Sequence, residues 1–335
     1  MRIAASYGGT DPGKKRRRNE DSYVIAPPLF AVADGMGGAQ AGEVASGLAA
    51  AALEESGADG GGERRVIELI QEANRRVHER ATTDATTAGM GTTITAALVE
   101  PDGHVVFGHV GDSRAYLLRD DQLEQLTDDH TLVAELVRRG ELSPGEAEVH
   151  PQRSVITRAL GTDPDVDVDT FSIGAQPGDV FLICSDGLSS MVDSSDIEEI
   201  LRRYRTDLPA ASKALIQAAN RGGGEDNITA VLFAVEEGEM QREPDEKTRE
   251  FALPPQDEED TLHPEDGVAP PPPAEPAPNA VDTMVVPAAD IEAAIAAHEE
   301  QQAPQAGIGK RLLALLVILA LVAIIVVLVW WGLAR

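Results

Sequence analysis

Residues 29–38 of the chain read LFAVADGMGG, an apolar run that ends at Asp34 and passes into a glycine-rich turn. Asp112 and Asp186 follow similar apolar runs, and Asp226 precedes another one. Because the end of one antiparallel strand lies beside the start of its neighbour, these aspartates can gather at one edge of a sheet. Clustered carboxylates repel one another, and a hard divalent cation is the usual reason to keep them together. The sequence therefore predicts a metal site built from carboxylates.

Composition excludes some classes of function. The formal net charge of the 335-residue chain is −29. Nucleic-acid binding depends largely on Lys and Arg side chains that neutralise phosphates, so we expect no nucleic-acid partner. The single cysteine, Cys184, cannot form an intramolecular disulfide and lies in an apolar run. It is predicted to be a buried core thiol in a protein of a reducing compartment.

The spacing of apolar residues predicts alternating groups of strands and helices. Strands are predicted at 22–25, 29–33, 92–99, 104–110, 115–119, 166–173, 180–184 and 228–235. Helices are predicted at 42–55, 63–81, 132–139, 195–204 and 209–220. Hairpin-linked strands interleaved with long helices indicate a layered α+β sandwich.

Residues 237–309 differ in composition from the preceding part of the chain. They contain twelve of the 21 prolines, four of them consecutive at 270–273, and an acidic run at 257–260. Such a composition cannot bury enough apolar surface to fold alone. The sequence therefore predicts a globular domain at 1–236, followed by a disordered, acidic, proline-rich linker.

The apolar run 312–333 carries no charged residue and is long enough to cross about 30 Å of hydrocarbon as a helix. Lys310 and Arg311 precede it, and two tryptophans lie near its far end. A basic flank and an aromatic belt are typical of a helix whose amino-terminal side faces the cytosol. No amino-terminal signal peptide is recognisable. We therefore expect residues 310–335 to anchor the chain in the inner membrane, with the globular domain in the cytosol.

Six short motifs occur in a fixed order in the globular part. They are RRRNEDSY at 16–23, ADGMGG at 33–38, GTT at 91–93, GDSRAYLLRD at 111–120, SDGL at 185–188 and GEDNIT at 224–229. This order resembles the metal-dependent serine/threonine phosphatases of the protein phosphatase 2C class. The resemblance covers residues 1–236 and none of the tail. It implies a four-layer α/β/β/α sandwich with two antiparallel sheets.

The resemblance also implies roles for individual residues. Asp34 corresponds to the aspartate that bridges two divalent metals, and the carbonyl of Gly35 is a further ligand. Asp186 and Asp226 correspond to the remaining ligands of the first metal. Glu20 is expected to act on the metals mainly through bound water.

Two further roles concern a third metal and the substrate. Asp112 corresponds to the aspartate that, with Asp186, holds a third and weaker metal in bacterial members. Arg16 aligns with the arginine that binds the substrate phosphate. Five consecutive basic residues start at Lys14, so Arg17 is the alternative phosphate ligand if the register shifts by one.

The residue types support these roles on physical grounds. Oxygen ligands suit Mn²⁺ or Mg²⁺, and the chain has no cluster of Cys and His motifs of the kind that binds zinc. Two ions and a possible third, with one arginine, supply the positioning and charge neutralisation that phosphoryl transfer requires. Met36 stands where eukaryotic members carry a histidine, so the proton for the leaving group must come from elsewhere, such as a metal-bound water.

Other residues receive simpler interpretations. Thr92 and Thr93 are predicted to be ordinary strand residues, and His130 to be a helix-start or surface histidine. Residues 137–157 correspond to the flap beside the active site, which we expect to screen substrates. Near it, Arg153 and Arg158 are candidates for substrate contact or for salt bridges.

Other phosphatase mechanisms do not fit. A cysteine-dependent enzyme needs an arginine six positions after its nucleophile, where this chain has Ser190 after Cys184. No G-x-S-x-G nucleophile elbow is present.

The resemblance predicts a phosphatase that hydrolyses phosphoserine and phosphothreonine in proteins and opposes serine/threonine kinases, and the apolar run 312–333 predicts that it is anchored in a membrane. Phosphorylated proteins, among them kinases and their substrates, are the expected partners. Two alternatives remain open. The domain could be a pseudophosphatase that binds phosphoproteins without turnover. The linker threonines Thr261 and Thr283 lie in acidic surroundings and could recruit a module that reads phosphothreonine.

Overall fold

The computed structural model of the chain describes residues 1–57, 61–238 and 284–285. The chain divides into two units, Met1–Ala288 and Ala289–Arg335, and the second lies outside the described residues. So do the predicted membrane segment 312–333, the linker threonines Thr261 and Thr283, and the rest of the predicted linker apart from residues 237–238 and 284–285. Within the described residues, no helix combines the length and the apolar character that a membrane crossing requires.

Two antiparallel sheets form the centre of the first unit. The first sheet contains, in spatial order, β1 (Arg2–Asp11), β12 (Ile228–Glu236), β11 (Val180–Cys184), β7 (Arg114–Arg119) and β8 (Gln122–Gln125). The second contains β10 (Asp169–Gly174), β6 (His104–Val110), β5 (Ile94–Val99), β3 (Leu29–Met36) and β2 (Asp21–Ala26), with β4 (Gly91–Thr92) beside β3. A separate parallel pair joins β9 (Val155–Ile156) to β13 (Met284–Val285). The predicted two-sheet α+β architecture is confirmed.

Helices cover the outer face of each sheet. The described helices are α1 (Gly38–Ser56), α2 (Gly62–Thr83), α3 (Leu132–Arg138), α4 (Pro144–Glu148), α5 (Asp186–Ser189), α6 (Ser194–Arg203) and α7 (Leu208–Gly222). In α2, Val66, Ile70, Ala73 and Val77 recur at helical spacing and are buried, so one stripe of the helix faces the sheet. The short helix α4 begins with a capping box, a reciprocal pair of hydrogen bonds that suits an isolated turn.

The hydrophobic core has three parts. One cluster packs α1 and α2 against the second sheet, and another packs α6 and α7 against the first sheet. The third lies between the sheets, where Phe233 stacks on Phe30 and Phe181 with ring centroids 4.4 Å and 4.8 Å apart. The central strands are therefore buried on both faces, which explains why they read as continuous apolar runs rather than alternating ones.

Three predictions about strands were wrong in detail. Strand β1 was not predicted, because it is an edge strand whose side chains are largely exposed or only half-buried and lack an apolar period. The short polar strand β8 was missed for the same reason. The strand predicted at 166–173 begins instead at Asp169, where pairing with His109 of β6 starts.

Candidate metal centre

Asp34 lies near the end of β3, opposite Asp21 of β2 in the antiparallel register. Its carboxyl group lies within hydrogen-bonding reach of those of Asp21 and Asp186. Its backbone is held from the other side, because its N–H donates to Oγ1 of Thr93 (3.1 Å) and its carbonyl accepts from Oγ1 of Thr92 (2.8 Å). The two threonines, predicted to be ordinary strand residues, therefore position the central carboxylate.

Gly35 allows the chain to pass close to its neighbours beside Asp34. A Cβ at this position would lie 2.1 Å from the carbonyl oxygen of Gly42 and 2.5 Å from that of Glu20. The Gly35 N–H donates to the Glu20 carbonyl (3.1 Å). The Glu20 carboxylate also approaches Gly42 of α1, where an added Cβ would lie 2.8 Å from Oε2. The sequence thus brings Glu20 and Gly35 to the same place as Asp34.

Asn227 ties Asp226 to the segment that carries Glu20. Its N–H donates to Oδ1 of Asp226 (2.8 Å), and its side-chain oxygen accepts from the Glu20 N–H (2.7 Å). Its side-chain NH₂ donates to the carbonyls of Pro12 and Arg18. Asn227 was not predicted as a functional residue, although it belongs to the GEDNIT motif. The asparagine itself could have indicated this role, because a buried side-chain amide must satisfy several hydrogen bonds at once.

Among the five basic residues at 14–18, Arg16 faces the carboxylates around Asp34. Its Nη2 donates to Oδ2 of Asp226 at 2.8 Å. Arg17, the alternative from a shifted register, is exposed. The structure therefore favours Arg16 as the side chain that can reach a phosphate beside these carboxylates.

Asp112 and Asp186 follow the ends of β6 and β11. Asp112 is 7 % exposed, and its Oδ1 has no hydrogen-bond partner. Asp186 is the first residue of α5 and keeps some exposure to solvent. Asp21, next to Glu20, is fixed by the hydroxyls of Ser185 and Thr229, which donate to its Oδ2 at 2.8 Å and 2.6 Å, while its Oδ1 lacks a partner. Six acidic residues, including Asp34, Glu20 and Asp226, thus lie at one edge of the two sheets.

The electrostatics of the cluster reflect uncompensated negative charge. Burial, together with the neighbouring carboxylates of Asp21, Asp186, Asp226 and Asp112, raises the pKa of Asp34 well above its usual range. Burial and the charges of Asp226 and Asp21 raise the pKa of Asp186 to about 7.

The pKa of Asp21 is raised to about 6 by burial, although hydrogen bonds from Thr229 and Ser185 oppose the shift. Burial and then the charge of Asp186 raise the pKa of Asp112. A cation bound among these carboxyl groups would lower their pKa values, so that each would ionise more readily.

The residues fit a hard divalent cation. The cluster offers oxygen atoms only, and Oδ1 of both Asp21 and Asp112 is buried without a partner. No three Cys, His, Asp or Glu side chains of the described chain already form a coordination shell.

Comparison with known proteins agrees with this geometry. Residues 18–219 match the family model described as protein phosphatase 2C. The chain belongs to this family. A serine/threonine phosphatase, stp, of Listeria innocua is 42% identical over 245 residues, which cover 70% of this chain and 96% of the relative. The predicted family and enzyme class, a metal-dependent serine/threonine phosphatase, are confirmed.

Solved structures of relatives show the same fold. The serine/threonine phosphatase PstP/Ppp of Mycobacterium tuberculosis is 40% identical, with a TM-score of 0.66, and the match covers 70% of this chain and 100% of that one. The catalytic domain of a PstP solved with two manganese ions is 37% identical, with a TM-score of 0.64, over 70% of this chain and 99% of that one. Two ions in that relative agree with the binuclear Mn²⁺ or Mg²⁺ centre predicted here.

Residues 137–157, the predicted flap, include Ile156, which forms a β-bridge with Thr131. Arg158, just beyond it, forms an ion pair with Asp169, whereas Arg153 is exposed. His130 was predicted to be a helix-start or surface histidine; it directly precedes the N-cap of α3, but it does not lie at the surface. Thr131 caps α3, and the side chain of His130 is buried because both ring nitrogens have partners inside the fold.

Proposed function

We propose that this phosphatase removes phosphate from phosphoserine and phosphothreonine in proteins, using Mn²⁺ or Mg²⁺ held by the carboxylate cluster around Asp34. The proposal depends above all on the raised pKa values and unpartnered oxygens of that cluster. The two manganese ions of the related PstP structure support it. When bound, paired divalent ions lower the pKa of a water molecule and neutralise charge on the phosphoryl group.

In this proposal Asp34 would be a ligand shared by the two ions, and the Gly35 carbonyl would be a further ligand. Asp186 and Asp226 are the remaining protein ligands of the first ion, and Glu20 acts mainly through bound water. The central position of Asp34, within hydrogen-bonding reach of Asp186, supports the bridging role.

A third and weaker ion would be held by Asp112 and Asp186. The buried, unpartnered Oδ1 of Asp112 supports this site, because a buried carboxylate oxygen without a partner is costly unless a cation or water binds it. Among the neighbouring charges, that of Asp186 raises the pKa of Asp112 the most.

Arg16 binds the substrate phosphate. Its guanidinium already points at the cluster and donates to Asp226. If a bound cation neutralised Asp226, the guanidinium would be free to donate two parallel hydrogen bonds to phosphate oxygens. Met36 has no proton to give, so the leaving serine or threonine oxygen takes its proton from water.

Phosphate release from phosphopeptides tests this function. The full chain should release phosphate from phosphoserine and phosphothreonine peptides with Mn²⁺, and release should stop with EDTA and return when the metal is restored. Asp34→Asn should lower kcat by about 10³-fold or more, because it removes the carboxylate that both ions share.

Asp121→Asn is the matched control, since Asp121 is an exposed turn residue with positive φ that Asn tolerates. It should retain the wild-type rate. Equal rates for wild type and Asp34→Asn, or wild-type protein that binds phosphopeptides without releasing phosphate, would refute the proposal. The second result would point to the pseudophosphatase.

We also propose that residues 310–335 anchor the enzyme in the inner membrane and that it opposes serine/threonine kinases there. The uncharged run 312–333 with its basic flank supports the anchor. Tethering would raise the local concentration of the catalytic domain near membrane-bound phosphoproteins. Fractionation of cells that express the full chain or residues 1–309 tests this. The full chain should pellet with membranes and residues 1–309 should not, and a soluble full chain would refute it.

A further inference from the structure

His130 connects two parts of the site that are far apart in the sequence. The Gly111 N–H donates to Nδ1 of His130 at 3.0 Å, and Nε2 of His130 lies 3.0 Å from Oδ2 of Asp169. A backbone N–H can only donate, so Nδ1 is an acceptor and the ring proton is on Nε2, which donates to Asp169. One neutral tautomer therefore satisfies both neighbours.

The backbone of His130 repeats these connections. Its N–H donates to the carbonyl of Gly111 at 2.8 Å, so residues 111 and 130 are joined by two hydrogen bonds. Its carbonyl accepts from the N–H of Thr157 at the end of the flap (2.9 Å), and Thr131 forms a β-bridge with Ile156. His130 thus contacts the turn before Asp112 on one side and the flap on the other.

Gly111 has little freedom to move without moving Asp112. Its φ is +112°, and an added Cβ would lie 2.5 Å from the side chain of Thr93. Thr93 in turn accepts a hydrogen bond from the N–H of Asp34 and is hydrogen-bonded to the Ser113 hydroxyl. The ring of His130 therefore fixes one end of the peptide segment that carries Asp112.

We propose that His130 is a positioning residue that couples Asp112 to the flap. When Asp112 engages a cation, the peptide segment of Gly111 is drawn into a defined position, and His130 transmits that position to residues 155–157. This inference rests on the proposed function, because it assigns Asp112 to a metal site. His130 touches neither substrate nor metal, and it acts through Gly111 and Thr157.

His109 provides a matched control within the same fold. It is as buried as His130, its ring centroid lies 4.7 Å away, and both its ring nitrogens have partners, the Thr95 hydroxyl and the Asp128 carbonyl. It has no hydrogen bond to Gly111 or to the flap among those that the structure records for the described residues. A change at His109 therefore disturbs the core without cutting the proposed coupling.

Hydrogen–deuterium exchange on the full chain, with and without saturating Mn²⁺, tests the proposal. In wild type and in His109→Gln, Mn²⁺ should slow exchange of the amides of residues 155–157 by at least about fivefold, since closure of the site holds the flap. In His130→Gln this metal-dependent protection should disappear. The Mn²⁺ concentration that half-saturates the weakest site, followed by electron paramagnetic resonance, should rise by about tenfold in the same variant.

His130→Asn adds a rescue experiment. The Asn side-chain oxygen can stand in for Nδ1 and accept from the Gly111 N–H, but Asn does not reach Asp169. This variant should recover Mn²⁺ affinity toward the wild-type value. If His130→Gln and His109→Gln lower the melting temperature alike, and both keep wild-type Mn²⁺ affinity and flap protection, His130 is only a core residue and the proposal is overturned.

The outcomes also separate this inference from the proposed function. Wild-type protein that binds no Mn²⁺ would refute both. Wild-type protein that binds Mn²⁺ and releases phosphate, but shows no metal-dependent protection of the flap, would refute only the coupling. Should His130→Gln fail to fold, Asp112→Asn with His130 intact must lose the protection, and its persistence would overturn the proposal.

Discussion

The middles of the central strands carry buried apolar side chains, whereas the ends of the same strands carry carboxylates. In the middle, β3, β11 and β12 bury apolar side chains on both faces, and Phe30, Phe181 and Phe233 stack between the sheets. At the ends, these strands bring carboxylates together, among them Asp34 and Asp186. The core stabilises the fold, and the carboxylate edge destabilises it until a cation neutralises the charge.

Different residues therefore determine the stability of the fold and the function of the site. Mutual repulsion at the edge is tolerated because burial between the sheets supplies stability that does not depend on the site. Changes in the core should therefore act on folding, and changes at the edge should act on metal binding and turnover. Four experiments test that separation.

The largest effect is expected from Phe233→Ala in the inter-sheet core. It removes a ring that stacks on two others and should cost about 4 kcal/mol of unfolding free energy, measured by urea denaturation with Mn²⁺ present. The protein that remains folded should keep a nearly normal kcat. Val149→Ala, at a residue that is 78 % exposed, is the control and should change stability by less than about 0.5 kcal/mol. Equal effects of the two changes would contradict the placement of the core.

Arg16→Ala should affect turnover more than folding. Loss of the phosphate ligand should lower kcat/KM for a phosphothreonine peptide by about 100-fold, because a charge-assisted bidentate contact is removed. In the metal-free protein it also removes the partner of Asp226. Arg17→Ala removes an adjacent, exposed charge and should stay within about twofold of wild type. If Arg17→Ala is the more damaging change, the register of the basic run is wrong.

The metal-free protein should lose stability as the pH rises. The pKa of Asp21 is raised to about 6 and that of Asp186 to about 7, whereas both are near 4 in the unfolded chain. The folded state therefore binds more protons between these values, so the stabilisation is complete below about pH 4 and is lost as the pH rises through 6 and 7. In EDTA, unfolding free energy should fall by on the order of 4 kcal/mol from pH 5 to pH 8.

Saturating Mn²⁺ should remove or reverse that slope, because the ion replaces the protons as the source of positive charge. Asp34→Asn should flatten the slope in EDTA, since it removes the central carboxylate. A metal-free protein that becomes more stable toward pH 8 would contradict the arrangement of charges described here.

The smallest effect is expected from a comparison of two neighbouring threonines, Thr93 and Thr95. Thr93→Val removes the hydroxyl that pairs with the Asp34 N–H and with the Ser113 hydroxyl. Thr95→Val removes the hydroxyl that pairs with Nδ1 of His109 and donates to the Ser113 carbonyl. Each should cost about 1 kcal/mol of unfolding free energy. Only Thr93→Val should also raise the Mn²⁺ concentration needed for half-maximal activity. Identical metal dependence in the two variants would show that Thr93 has no positioning role.

The middles of the strands were easier to predict from the sequence than the edge. Apolar runs such as 180–184 coincide with observed strands, because burial on both faces leaves a continuous pattern. The edge strand β1 left no such pattern. Asp34, Asp112, Asp186 and Asp226 were found because each stands between an apolar run and a turn. The resemblance to the phosphatase family supplied Glu20 and the roles of all five.

The residues that hold the carboxylates in place were not found. Asn227, Thr93 and His130 act through hydrogen bonds to backbone groups that lie 19 to 207 positions away in the sequence, such as Gly111 and Glu20. Single-sequence patterns report periodicity and local turns, and they carry no information about such pairs. The ambiguity between Arg16 and Arg17 likewise required the fold to settle which side chain faces Asp226.

Anomalous diffraction from crystals of this phosphatase grown with Mn²⁺ tests the central claim most directly. The account predicts two manganese peaks that share Asp34 as a ligand, with Asp186 and Asp226 drawn in toward the first, and neither peak in Asp34→Asn. Manganese bound only elsewhere on the protein, with the Asp34 carboxylate still facing its neighbours alone, would contradict it.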